Sequence, residues 1–95
     1  MSPYTPYLAE YVGAFFFILA IFSSGGNPLI IGGALALVVF LIGNISGGYV
    51  NPAISLAMLM KGDLNTTRFA GYVVAQLLGG ASAYYAYTMS KHGTF

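Results

Sequence analysis

Residues 46–63, with the sequence SGGYVNPAISLAMLMKGD, decide how this chain folds. Asn51 suits the N-cap of a helix, and Pro52 suits the first helical position, where the missing backbone N–H is not needed. Gly62 suits the C-terminal cap, and Lys61 suits the last turn, near the negative end of the helix dipole. These signals predict a helix over residues 52–61 that is about 15 Å long.

This helix is apolar, yet it is too short to cross a bilayer, whose hydrocarbon core is about 30 Å thick. Residues 54–60 carry no charged side chain, whereas an amphipathic helix on the membrane surface should present a charged face. A glycine-rich strip precedes the helix, and irregular backbone at membrane depth is tolerated only against protein or a water-filled cavity. We therefore predict a re-entrant half-helix over residues 52–61, with a surface helix as the alternative.

The composition of the chain indicates that its solvent is the lipid bilayer. Of its 95 residues, 58% are hydrophobic and 5% are charged, and the mean hydropathy is +0.80. Soluble domains usually carry about 25% charged residues, so this chain has too few charges to cover a soluble surface. Its net charge of +1 offers no basic face for nucleic acid. Without cysteine it has neither disulfides nor thiol chemistry.

Three longer apolar segments surround the half-helix. We predict transmembrane helices over residues 6–23, 28–45 and 67–88, because a spanning helix needs about 20 residues. The third segment places small residues at a spacing of four, which gives a smooth face for helix contact; they are Gly71, Ala75, Gly79 and Ala83. Residues 1–95 are therefore predicted to form one all-α, multi-pass membrane domain with three spanning helices and one re-entrant half-helix.

Three motifs resemble those of the major intrinsic proteins, the aquaporins and glycerol facilitators. Residues 46–53, SGGYVNPA, resemble a loop that usually reads SGAHLNPA in that family. Residues 9–13, AEYVG, resemble its first-helix signature, and residues 75–80, AQLLGG, its third-helix signature. The resemblance covers about residues 7–87 and implies the N-terminal half of an aquaporin-like fold. Ile54 follows the Asn-Pro-Ala turn, where the second half of the family usually places arginine.

The resemblance also implies a pore beside this loop. The Asn51 amide would donate a hydrogen bond to a passing oxygen, and carbonyls of the preceding loop would accept hydrogen bonds. The free N–H groups at the start of the half-helix would carry about half a positive charge at the midplane and repel cations. The residues implied to line the pore are Gly47, Gly48, Tyr49, Asn51, Pro52, Ala53 and Ile31.

Ile31 bears on the choice of solute. In many family members the position twenty residues before Asn51 is aromatic and narrows the filter. With isoleucine there, and no arginine after the Asn-Pro-Ala turn, the usual constriction is not expected. The resemblance therefore implies a passive channel for water, for small neutral solutes such as glycerol, or for both.

Two polar residues within the predicted spans each admit two interpretations. Glu10 is either a proton-relay acid of a small transporter or a buried acceptor that holds the loop, and the resemblance favours the acceptor. Gln76 either faces a pore or braces the loop from the third span. Ser55, Thr66 and Thr67 are interpreted as ordinary loop or cap residues.

The remaining chemistry of the chain does not indicate an enzyme. The sequence has no nucleophile–base pair, no metal-binding cluster and no phosphate-binding loop, so no cofactor is expected. His92 lies in a polar tail and is interpreted as a solvated side chain.

One copy of this half cannot enclose a pore. We expect an antiparallel homodimer that reproduces an inverted repeat, and such dimers could assemble into tetramers of pores. Lys61 and Arg68 fall on the side of the N-terminus and Lys91 on the other, a small bias that is compatible with insertion in both orientations. The alternatives are a dual-topology transporter that uses Glu10, a non-conducting subunit of a larger channel, and a degenerate remnant.

Overall fold

The computed structural model describes residues 2–91, and His92 lies outside them. The described residues form four helices, α1 over Thr5–Ser23, α2 over Pro28–Ser46, α3 over Pro52–Lys61 and α4 over Thr66–Lys91. One helix of 10 residues thus lies among helices of 19, 19 and 26 residues. This arrangement confirms the predicted fold class, which is half of an aquaporin-like fold.

Local capping fixes where the inner helices begin and end. The Asn27 side chain accepts from the backbone N–H groups of the first turn of α2, and the Asn51 side chain does the same for α3 at 2.8 Å. Gly47 ends α2 and Gly62 ends α3, with φ angles of +100° and +96°. Glycine adopts this left-handed backbone without the steric cost of a Cβ, so each helix ends at its glycine.

Helix α1 lies between α2 and α4, and α3 packs against α4. The small residues predicted to form a smooth face do so, because Ala75, Gly79 and Ala83 are buried in α4. A Cβ added at Gly79 would lie 2.6 Å from the carbonyl oxygen of Tyr11 in α1. The backbones of α1 and α4 therefore approach each other so closely at Gly79 that no side chain would fit between them.

The apolar core is small, and much of the apolar surface is exposed. Ala14, Val38 and Val50 form the buried cluster, between α1, α2 and the loop after α2. On α2, only Val38 and Ser46 are buried, while Leu29 and Phe40 are more than 80% exposed. Isolated in water, such a surface would be an aggregation hazard, so lipid or further protein has to surround it.

Two of the described helices, α1 and α2, are long and apolar enough to cross a membrane. Helix α4 is the longest, but its hydropathy falls below that of a typical span because it includes Arg68, Gln76 and several hydroxyl-bearing side chains. Gln76 is buried inside the protein, and its polarity therefore reflects contacts with the other helices. The membrane-spanning role of α4 stays a prediction.

Candidate functional site

The loop between α2 and α3 turns through an unusual backbone. Gly47, Gly48 and Val50 all have positive φ angles, of +100°, +67° and +47°. A Cβ at Gly48 would lie 3.2 Å from the Cα of Val39, so the loop lies directly against α2. Val50 is a β-branched residue in a left-handed conformation, which costs about 1–3 kcal/mol and persists only where its surroundings hold it.

The carboxylate of Glu10 holds this loop from α1. Its Oε1 accepts from the backbone N–H of Val50 at 2.7 Å, and its Oε2 accepts from that of Tyr49 at 3.1 Å. The Ser46 hydroxyl donates to the same Oε2 at 2.6 Å. Glu10 is completely buried, so these bonds replace the water that the carboxylate gives up. Buried charges are tolerated only with such compensation.

Gln76 joins α4 to both the carboxylate and the half-helix. Its Nε2 donates to Glu10 Oε1 and to the Ser55 hydroxyl oxygen, each at 2.8 Å. Ser55 is fully buried, so its interpretation as an ordinary loop or cap residue was wrong. It lies one helical turn after Asn51, and that spacing places it on the face of α3 that meets α4. Among residues 2–91, Gln76 Oε1 has no hydrogen-bond partner.

The cap at the start of α4 also differs from the sequence interpretation. Asn65 accepts from the backbone N–H of Arg68 at 2.7 Å. Neither Thr66 nor Thr67 supplies that bond, and both are exposed residues of the first helical turn.

Tyr72 belongs to the same network, although its sequence context did not single it out. Its hydroxyl donates to the carbonyl of Ser46 at 2.6 Å, and its ring lies 5.9 Å from that of Tyr49. The Tyr49 ring in turn covers Gly47, where an added Cβ would lie 2.6 Å from it. No local motif marks Tyr72; only its place on the same side of α4 as Gln76, four residues later, could have indicated it.

Asn51 lies between the hydrogen-bonded loop that precedes α3 and an open cavity. It is exposed, and its Oδ1 caps α3, which leaves the two N–H groups of the amide for other partners. Ahead of it, between α1 and α4, lies a cavity of about 430 Å³. Asn51 and Pro52 line this cavity together with Gln76 and the apolar side chains Phe17 and Ile18.

The structure therefore brings most of the residues predicted for the site to one place. Gly47, Gly48 and Tyr49 lead to Asn51 and Pro52, with Glu10 and Gln76 behind them. Ala53 follows in the first turn of α3 and is exposed. Ile31 lies in the first turn of α2 and does not line the cavity at Asn51. The pore-lining role of these residues stays a prediction.

Metal chemistry has no candidate here: residues 2–91 contain no cluster of His, Cys, Asp or Glu that could hold an ion. What the geometry offers is the amide of Asn51 and the N-terminus of α3 beside a cavity. These are neutral groups that exchange hydrogen bonds without covalent chemistry. The arrangement is suited to passing or binding a neutral polar molecule.

The comparison with known families agrees with this geometry. The family described as major intrinsic protein matches residues 1–93. This chain belongs to the major intrinsic protein family. The resemblance to this family is thereby confirmed, and so is the expectation that the chain is not an enzyme, because members of this family are channels. Members are also integral membrane proteins.

Several family members are similar to this chain over part of their length. The lens fiber major intrinsic protein of Gallus gallus is 46% identical over 66 residues, which are 66% of this chain and 25% of that protein. Glycerol uptake facilitator protein-like 6 of Lactiplantibacillus plantarum is 34% identical over 85 residues, 81% of this chain and 39% of that protein. Aquaporin-8 of Mus musculus is 38% identical over 85 residues, 79% of this chain and 33% of that protein.

The chain thus spans well under half the length of each of these relatives. No solved structure matches it.

Proposed function

We propose that this chain forms half of a transmembrane channel that passes water, small neutral solutes such as glycerol, or both. One observation carries the proposal: a half-helix capped by Asn51 begins beside an open cavity, and hydrogen bonds with Glu10 and Gln76 hold its N-terminal end in place. The names of the relatives, which include an aquaporin and a glycerol uptake facilitator-like protein, support the same class of solute.

The depth of the half-helix supports a site inside the membrane. Helix α3 has 10 residues and so extends about 15 Å, or half the hydrocarbon thickness. Its first turn meets α4 at Gln76, near the middle of that 26-residue helix. If α4 spans the bilayer, then Asn51 lies near the midplane. We accordingly propose a multi-pass topology in which α1, α2 and α4 span and α3 re-enters.

The chemistry at this depth suits a neutral solute. The free N–H groups of α3 and the amide of Asn51 donate hydrogen bonds, while the carbonyls of Gly47, Gly48 and Tyr49 accept them. A molecule with hydroxyl groups can then exchange water contacts for fixed dipoles. A cation meets the positive end of the α3 dipole instead. The solute moves passively, down its gradient.

The open cavity supports a proposal for how the pore is completed. It lies at the N-terminal end of α3, where Asn51 and Pro52 line it. We propose that a second copy of the chain, inserted in the opposite orientation, places its own Asn51–Ala53 turn there. The pair would then have a two-fold axis in the membrane plane. Dimers of this kind could assemble further into tetramers of pores.

Osmotic swelling of liposomes that contain only this chain tests the transport proposal. In a stopped-flow instrument, the wild type should equilibrate faster than protein-free liposomes after a step in sucrose, in glycerol, or in both. Asn51→Asp serves as the matched variant, since it keeps the cap on α3 but adds a charge at the turn. Swelling no faster than in empty liposomes would favour a non-conducting subunit of a larger channel.

The sidedness of the termini tests the antiparallel dimer. Lys61 and Arg68 lie at the end of the molecule that carries the N-terminus, where Arg68 stacks on Tyr7 at 5.9 Å, while Lys91 lies at the other end. This balance predicts chains in both orientations. Tags at each terminus, probed with an impermeant reagent, should therefore be labelled in part from each side. A single uniform orientation would contradict the antiparallel homodimer.

The transporter alternative depends on Glu10 releasing and taking up a proton. In the structure all four neighbours of the carboxylate donate hydrogen bonds to it, an arrangement suited to a fixed acceptor. A dependence of solute uptake on a proton gradient, abolished in Glu10→Gln, would favour the transporter over the channel.

A further inference from the structure

We infer that the charge of Glu10 sets the ion selectivity of the channel, by opposing the positive end of α3 at the point where a solute passes. This inference rests on the proposed channel function. It assigns the carboxylate an electrostatic role on the permeating species, separate from its hydrogen bonds to the loop.

The charge of Glu10 has no nearby cation to neutralise it. The chain has two acids, Glu10 and Asp63. In residues 2–91 the ion pair is Lys61–Asp63, an exposed contact of 3.1 Å, and no basic side chain lies within 4.0 Å of Glu10. The four groups around the carboxylate are two backbone N–H groups, a hydroxyl and an amide. These donors solvate a negative charge without cancelling it.

The carboxylate also lies next to the turn where the solute would pass. Its Oε1 is 2.7 Å from the backbone nitrogen of Val50, the residue immediately before Asn51. Because Glu10 is completely buried, water does not screen its field as it would at a surface. At this range the field of a full charge reaches Asn51 and the first turn of α3.

Two opposite fields therefore meet at the turn. The N-terminus of α3 carries about half a positive charge, which repels cations and attracts anions. Glu10 carries a full negative charge slightly further back, which repels anions. Alone, the helix would leave the turn selective for anions. With Glu10 in place, neither sign of ion is favoured, while a neutral solute is unaffected by the balance.

The test compares charge removal with loss of a hydrogen bond. Liposomes are prepared with the wild type, with Glu10→Gln and with Ser46→Ala, which deletes the 2.6 Å hydrogen bond but keeps the charge. Water and glycerol flux report the state of the pore, while chloride and potassium fluxes are measured separately with ion-sensitive dyes. In Glu10→Gln, we expect chloride flux to rise about tenfold above the wild type, while potassium flux falls or stays at the wild-type level. Ser46→Ala should keep the chloride flux of the wild type.

Two results would overturn the inference. A joint rise of chloride and potassium flux in Glu10→Gln would indicate a loosened loop. A rise of chloride flux in Ser46→Ala as large as that in Glu10→Gln would assign the effect to the hydrogen bonds. If the wild type passes neither water nor glycerol, the channel proposal fails first and this inference fails with it.

A second pair of variants covers the case in which Glu10→Gln loses its fold and its water flux. Gln76→Lys places a cation beside Glu10, at a position where Nε2 now lies 2.8 Å away, and leaves the bonds to residues 46, 49 and 50 in place. Gln76→Met is the neutral control of similar length. Chloride flux should rise in the lysine variant and not in the methionine variant. Equal chloride flux in the two would contradict a role for charge.

Discussion

The loop on one side of Asn51 is held by hydrogen bonds within this chain, whereas the space on the other side is open. On the side of the loop, Glu10 and Ser46 belong to a buried network in which every carboxylate lone pair has a donor. On the other side, Asn51 and Pro52 face a cavity of about 430 Å³ with apolar walls. One chain therefore supplies all the hydrogen bonds that hold the loop, but it does not enclose the cavity at Asn51. Substitutions on the first side should affect folding, and substitutions on the second should affect association and transport.

The largest effect on stability is expected for Glu10→Ala, on the bonded side. It removes the acceptor of four donors, three of them in buried hydrogen bonds, and each buried donor left unsatisfied costs about 1–3 kcal/mol. We expect the free energy of unfolding in detergent to fall by about 3 kcal/mol or more. Far-UV circular dichroism during titration with a denaturing detergent measures it. Glu10→Gln, which keeps one acceptor oxygen, should lose less, and an equal loss in the two would contradict the account.

Gly79→Ala should have the next largest effect, because a methyl group would lie 2.6 Å from the Tyr11 carbonyl oxygen. Backbone cannot move aside cheaply, and overpacking of this kind costs about 1–3 kcal/mol. Gly32→Ala is the matched control, since it is also helical and nothing lies within 4 Å of its added Cβ. Thermal unfolding followed by circular dichroism should show a loss for the first variant only. A loss of similar size in both would mean that helix α1 does not pack on α4 this closely.

Asn51→Ala should separate folding from transport at the boundary of the two sides. The variant loses the cap on α3, which lowers stability by about 1 kcal/mol. It also loses the amide that donates to the solute, so water or glycerol flux should fall more than the folded fraction does. Asn27→Ala removes the corresponding cap of α2 and serves as the control. If both variants reduce flux in the same proportion, Asn51 acts only as a cap.

The smallest effect on folding, and a large one on association, is expected for Ala81→Phe on the open side. Ala81 is exposed and lines the cavity, so the monomer should change in stability by about 0.5 kcal/mol or less. A phenyl ring would nevertheless occupy the space proposed for the second copy. Sedimentation in detergent should then show a monomer where the wild type shows a dimer. An unchanged dimer would place the second copy elsewhere.

The sequence was sufficient for those parts of the fold that local rules control. Asn51 and Gly62 mark the ends of α3 because capping depends on one or two residues at each end, and the short length follows from their spacing. Contacts between residues far apart in the sequence could not be predicted from local patterns. Ser55 and Tyr72 carry no local signal, and they join the network only because α3 and α4 lie together.

Val50 shows why the position of the loop could be predicted from the sequence, whereas its backbone conformation could not. A β-branched residue ordinarily favours extended backbone, and nothing in its neighbours predicts a φ of +47°. Glu10, forty residues away, holds it there through a single hydrogen bond of 2.7 Å. Helix α4 offers the converse lesson: Gln76, one of the polar side chains that reduce its hydropathy, is buried by the tertiary structure.

The most direct test of the central claim is a cysteine cross-link at the turn. The chain contains no cysteine, so Ala53→Cys introduces a single thiol at the exposed start of α3, close to the proposed two-fold axis. In membranes containing only this variant, mild oxidation should produce a covalent dimer, whereas Lys61→Cys, whose copies would lie on opposite faces of the membrane, should stay monomeric. A cross-link at Lys61→Cys and none at Ala53→Cys would contradict a pore completed by an inverted second copy.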